Sequence, residues 1–98
     1  MYIYLYMTQV YVRTGIGECS DENGQRSKLG YRTNRGETLA DCEGHCNAVP
    51  NCQAFSLPTI DKNWCALWSV GGFSRGEQTD LTCYSKVTKV AIALRLSF

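Results

Sequence analysis

Six cysteines, at positions 19, 42, 46, 52, 65 and 83 of a 98-residue chain, constrain the fold more than any other feature. A body of this size buries only about 60 to 65% of the surface its unfolded chain exposes, so its core alone is marginal. An even set of cysteines in so short a chain is the pattern of covalent staples made in an oxidising compartment. The expectation is a single domain, secreted to the extracellular side, whose export signal has already been removed. A structural zinc site on Cys42, His45, Cys46 and Cys52 would bring its ligands as close pairs such as Cys-x-x-Cys, whereas the cysteine spacings here are x3, x5 and x12. Disulfides, with no metal and no cofactor, are the reading.

Hydrophobic patterning places the strands. Residues 2 to 12, Tyr-Ile-Tyr-Leu-Tyr-Met-Thr-Gln-Val-Tyr-Val, are aromatic and β-branched with apolar residues on both alternating faces, which reads as a strand with no solvent side, broken by Gly15 and Gly17. Ser20 to Gly24 is a turn cluster, and a short strand follows near Lys28 to Arg32. Thr38 offers a helix N-cap with Asp41 three residues on, and Leu39, Cys42, Cys46 and Val49 recur on one helical face until Pro50-Asn51 stops the helix. Cys52 to Leu57 and Trp64 to Val70 read as a hairpin, and glycine-containing Gly71 to Thr82 as a surface loop. From Val87 the alternation is clean: Val90, Ile92, Leu94, Leu96 and Phe98 share one face, Ala91, Ala93, Arg95 and Ser97 the other. The fold class is therefore α+β, one helix packed on an antiparallel β-sheet with long N- and C-terminal β arms, and Leu39, Val49, Ala54, Phe55 and Leu67 are expected to form the core between helix and sheet.

Six cysteines permit fifteen pairings, and spacing alone does not choose among them. Helix geometry narrows the choice, because Cys42 and Cys46 are one turn apart and project from the face that meets the sheet. Cys52, just past the Pro-Asn turn, suits Cys46; Cys65 in the next strand is available for Cys42; Cys19 and Cys83 are left for each other.

The run Thr38-Leu-Ala-Asp-Cys-Glu-Gly-His-Cys-Asn-Ala-Val-Pro-Asn-Cys-Gln-Ala-Phe-Ser56, followed by Trp64-Cys-Ala-Leu67, resembles the PAN/apple family signature. The resemblance covers roughly Glu18 to Lys86. It implies a disulfide-stapled module with the same pairing, helix bound to sheet and the chain ends tied by an outer bridge. The division is then an N-terminal β arm (1–17), the PAN/apple-like module (18–86) and a C-terminal strand or arm (87–98). The arms are longer and more apolar than a minimal module needs.

Candidate chemistry is sparse. His45 is the only histidine and belongs to the cysteine-bearing segment, so no Ser or Cys nucleophile with base and orienting carboxylate assembles, and Asp61, Glu77 and Asp80 form no acid/base pair. Gly71-Gly72 lacks the spacing and lysine of a phosphate-binding loop. The chain is read as a non-enzyme. Ten Lys plus Arg against nine Asp plus Glu leave a formal charge of +1, with the basic residues scattered singly, which gives nucleic-acid binding no support. The apolar run Tyr2 to Tyr6 is far short of the roughly 20 residues of a membrane helix, so no membrane span is expected.

Trp64 and Trp68, four apart in a strand, share one face as core residues, and Tyr31, Arg32, Arg35, Phe73 and Arg75 are a possible recognition rim on loops. The resemblance implies recognition of extracellular proteins or carbohydrates in adhesion or assembly, without naming the ligand. If Cys19 and Cys83 are bonded, the arms leave one root in opposite chain directions and are poised to pair as an antiparallel ribbon. Tyr2, Ile3, Tyr4, Leu5 and Tyr6, with Ile92, Leu94 and Leu96, are then the self-association candidates of a homo-oligomer or polymer. The alternative is the structural subunit of a homopolymeric extracellular filament.

Overall fold

The computed structural model describes residues 2–33, 38–59, 64–76 and 79–95. In chain order these form β1 (Tyr2–Ile16), β2 (Cys19–Ser20), β3 (Lys28–Thr33), α1 (Leu39–Ala48), β4 (Ala54–Pro58), β5 (Trp64–Trp68), β6 (Phe73–Ser74) and β7 (Leu81–Arg95). The main sheet is antiparallel in the order β1-β7-β4-β5-β3, and β2 pairs with β6 in a separate two-stranded sheet. With α1 laid on one face, the molecule is a small α+β fold held by disulfides.

The helix begins where its cap chemistry requires. Thr38 is extended (φ −103°, ψ 170°); its hydroxyl accepts from the Asp41 N–H at 3.2 Å, and the Asp41 carboxylate accepts from the Thr38 N–H at 3.0 Å. Asp41 thus closes the capping box in place of the usual Glu or Gln. Cys42 and Cys46 are fully buried and Val49 packs partly against the core, but Leu39 remains 39% exposed. The inward face begins one turn later than the periodicity suggested.

Strand alternation divides the interior into two. Phe55, Leu57, Cys65 and Leu67 meet the helix cysteines, while Ala54, Ala66, Trp68, Cys19 and Cys83 cluster separately. Neighbours along a strand point to opposite faces. Ala54 therefore cannot join Phe55 under the helix, as a single core of Leu39, Val49, Ala54, Phe55 and Leu67 would demand. Trp68 is buried and donates from Nε1 to Ser56 Oγ at 2.8 Å, with Trp64 packed partly against the same cluster. Gly71 passes so close behind Ala54 that a Cβ there would sit 2.8 Å from the alanine methyl.

Several boundaries differ from the sequence reading; β4 begins at Ala54 and β5 ends at Trp68. β1 does not stop at Val12: a register shift between Arg13 and Gly15 lets the strand continue to Ile16, and the turn comes at Gly17, whose φ is 104°. Gly15 is accommodated because the Ser74 hydroxyl occupies the space a Cβ would need. The segment from Gly71 is not wholly loop, since Phe73–Ser74 pair with Cys19–Ser20 and β7 starts at Leu81.

Candidate functional site

Three disulfides fix the body: Cys42–Cys65 from helix to β5, Cys46–Cys52 from helix to the loop before β4, and Cys19–Cys83 from β2 to β7, with Cα separations of 5.9, 5.3 and 5.2 Å. No cysteine is free. The Cys19–Cys83 bridge ties β2 to the part of β7 that pairs with β4, and the Gly17 N–H donates to the Leu81 carbonyl at 2.8 Å beside it.

From that root the arms run together. β1 and β7 pair from Ile16↔Thr82 to Tyr2↔Arg95. β4 accompanies β7 only from Leu81 to Ser85, with a last bond from the Lys86 N–H to the Gln53 carbonyl. Beyond it, among the described residues, the pairs Val10↔Val87 to Tyr2↔Arg95 form a two-stranded ribbon bordered by no third strand. The molecule is accordingly 56 Å long against 33 and 23 Å in the other directions.

The two faces of the ribbon are identified at its root. Tyr11 belongs to the helix side: its ring lies 5.2 Å from Phe55, which stacks on Tyr84 at 5.3 Å, and its hydroxyl donates to Asn47 Oδ1 of α1 at 2.6 Å. Lys86 Nζ rests 5.7 Å from the Tyr11 ring. Burial, with the Glu43 carboxylate adding to it, pushes the Tyr11 phenol up to about 12. Val12 and Val87, one residue away on either strand, fall on the opposite face and are 40% and 38% exposed. On that side Thr14 donates to Ser85 Oγ at 2.6 Å, and the Gly72 N–H donates to the same oxygen at 2.8 Å.

The self-association candidates Tyr2, Tyr4, Tyr6, Ile3, Leu5, Ile92 and Leu94 all lie in the paired ribbon strands, and Leu96 falls outside the described residues. The possible rim does not form one group: Tyr31 and Arg32 sit on β3 at the far edge of the main sheet, Phe73 belongs to the small sheet with Arg75 just after it, and Arg35 falls outside the described residues.

A second feature, the cleft beside β6, carried no sequence signal beyond its turn residues. About 480 Å³ in volume, it is lined by Ser20 to Gln25 and by Phe73, Ser74 and Arg75. In its wall, Asp21 Oδ1 accepts from the Asn23 and Gln25 N–H groups, each at 2.9 Å, and the Gly24 N–H closes on the Asp21 carbonyl at 3.0 Å. Phe73 is 50% exposed at its edge. Among the described residues, no group of three or more His, Cys, Asp or Glu could hold a metal ion, and no helix is long and apolar enough to cross a membrane. No family model matches the chain, and neither a curated protein nor a solved structure does.

Proposed function

We propose that the chain is an extracellular, non-enzymatic binding and adhesion module of the PAN/apple type that associates with copies of itself through its terminal β strands. The observation that carries this is the ribbon. β1 is an edge strand of 15 residues that contains no proline and only Arg13 as a charge. Edge strands of monomeric proteins are usually short, charged, bulged or covered, and a two-stranded ribbon alone is marginal in water. Neighbouring subunits would cover the apolar surface and satisfy the open backbone groups. The three disulfides support an extracellular location, since such bonds persist in oxidising compartments.

Contacts that close give a small oligomer, and contacts that do not close make the chain the structural subunit of a filament. Sedimentation velocity and electron microscopy of the purified, oxidised chain test the proposal. Concentration-dependent oligomers are expected. Removing residues 1–9 and 88–98, which spares Tyr11 and the disulfides, should leave a folded monomer. An intact chain that stays monomeric at high micromolar concentration refutes self-association. The cleft then favours a second reading, recognition of a foreign protein or glycan between the Asp21 loop and the exposed Phe73.

A further inference from the structure

The turn in the wall of the cleft sets an asparagine before a glycine, and that pair has chemistry of its own. Of the asparagines at positions 23, 34, 47, 51 and 63, Asn23 alone precedes a glycine. In such a pair the side-chain carbonyl carbon, Cγ, can close a five-membered ring with the next backbone nitrogen, and glycine has no Cβ to obstruct the approach. Asn23 is exposed, and nothing lies within 4 Å of the place where a Gly24 Cβ would stand. The reacting atoms are therefore open to water and have room to move.

The fold of the turn works against that ring. The Gly24 N–H donates to the Asp21 carbonyl at 3.0 Å, which closes a four-residue turn with Glu22 and Asn23 at its centre. Gly24 carries a positive φ of 79°, whereas Glu22 and Asn23 do not, the pattern of a type I turn followed by a left-handed glycine. The third residue of such a turn holds ψ at roughly 0°. Ring closure needs the Gly24 nitrogen swung onto Cγ and stripped of the hydrogen that Asp21 accepts. Asp21 fastens the turn further: its Oδ1 accepts from the Asn23 and Gln25 N–H groups, and its own N–H donates to the Gln25 carbonyl at 3.0 Å. Rotation at Asn23 ψ moves Gly24 and Gln25 together, so it breaks the bonds that both make to Asp21.

We propose that Asn23 is a site of spontaneous covalent modification, conversion to aspartate and isoaspartate through a succinimide, and that the Asp21 turn holds this reaction back in the folded chain. Water is the only co-reactant. The Gly24 nitrogen attacks Asn23 Cγ: the N–Cγ bond forms, the Cγ–Nδ2 bond breaks, and ammonia leaves with the proton that the nitrogen gave up. One water then opens the ring. Cleavage at Cγ gives aspartate, and cleavage at the Asn23 main-chain carbonyl gives isoaspartate, whose backbone is one methylene longer. Either product adds a carboxylate to a cleft lining that already holds Asp21 and Glu22. The isoaspartate form also alters the spacing from Asp21 to Gln25 on which the turn's bonds depend. A transient opening of the turn thus becomes a permanent change in the cleft.

Incubating the full-length oxidised chain beside the reduced, denatured chain in the same neutral buffer tests this, with peptide mapping by mass spectrometry to follow the exchange of ammonia for water. The denatured chain should convert at Asn23 faster than at any other asparagine. Conversion in the folded chain should be slower by at least about tenfold, because the turn must open locally first. Asp21→Ala removes the side-chain acceptor and should speed conversion in the oxidised chain about tenfold, whereas Asp21→Asn keeps an acceptor oxygen and should stay within about threefold of the parent. Amide exchange across β4 and β5 verifies that the body persists in each variant; where it does not, the ratio of folded to denatured parent decides alone. Equal rates in the folded and denatured parent, or equal rates in the parent and an intact Asp21→Ala, overturn the guarding role of the turn. Another asparagine converting faster in the denatured chain overturns the site.

Discussion

The body and the ribbon share one strand and differ in everything that surrounds it. From Leu81 to Cys83, and again at Ser85, β7 is buried, flanked by β1 and β4 and bonded to β2 through Cys83. By Val87, two residues beyond Ser85, the same strand is 38% exposed and borders only β1. Backbone pairing is continuous across that boundary, whereas covering layers and covalent ties stop at it. Hydrogen bonding thus gives β7 its course, and burial with cross-links gives it stability, a division consistent with the small net contribution of each exchanged hydrogen bond.

Reduction breaks this contrast most severely. In the chain-entropy model, loops spanning 64, 23 and 6 residues contribute about 4, 3 and 2 kcal/mol, together comparable to the net stability of a domain this size. Reducing all three bridges should abolish the cooperative thermal transition by circular dichroism, leaving the body no better ordered than an isolated ribbon. Next in size is Phe55→Ala. Phe55 is fully buried between the helix cysteines, Tyr11 and Tyr84, and its loss should cost about 3 to 5 kcal/mol in denaturant unfolding. An unchanged midpoint would show that the helix-side core contributes little.

Smaller changes probe single seams. Thr38→Ala removes the capping box and should cost about 1 kcal/mol. The exposed Asp41 carboxyl is held below its usual range by the Thr38 N–H and hydroxyl, so its contribution is complete above its unfolded pKa and is lost as pH falls through the lower folded value. The variant keeps the backbone N–H and loses only the hydroxyl, so part of the parent's advantage, the share from the hydroxyl bond to the carboxylate, should fall away in acid, measured by parallel urea titrations. The smallest effect belongs to Tyr11→Phe, which deletes the bond to Asn47 and should cost about 0.5 to 1 kcal/mol at neutral pH. The folded chain holds the Tyr11 proton more tightly than the unfolded chain, whose phenol titrates near 10. Stability from this group is complete below pH 10 and declines as pH rises toward about 12, so the difference between parent and variant should shrink or reverse over that window.

Much of the body was legible because its signals are local. One-turn spacing put Cys42 and Cys46 on a common face, Thr38 and Asp41 marked the helix start, and the opposite chain directions of the arms at Cys19 and Cys83 indicated an antiparallel ribbon. Four features were not legible. Two-residue strands such as Phe73–Ser74 have no period to detect, and their pairing with Cys19–Ser20 depends on a bridge 64 residues apart in sequence. The close approach of the Ser74 hydroxyl to Gly15, where β1 continues past its register shift, joins residues far apart in sequence. Apolar Leu39 and Ala54 carry no sign of which layer they meet: Leu39 stays exposed, and Ala54 faces away from Phe55 by strand alternation. Nor do the turn residues Asp21 to Gln25 announce that they face Phe73 across a cleft.

The Cys19–Cys83 bridge also determines how the molecule bears tension. Both ribbon ends lie at the same tip, so pulling them apart peels the register pairs one at a time from Tyr2↔Arg95 inward. Peeling ends near Gly15↔Cys83, where the chain becomes a covalent loop spanning 64 residues. Only the arms can lengthen under load. The segment between Cys19 and Cys83, with helix and cleft, is bypassed by a force path that runs through one sulfur–sulfur bond, and the body loses only the packing that Tyr11 and Tyr84 give to Phe55.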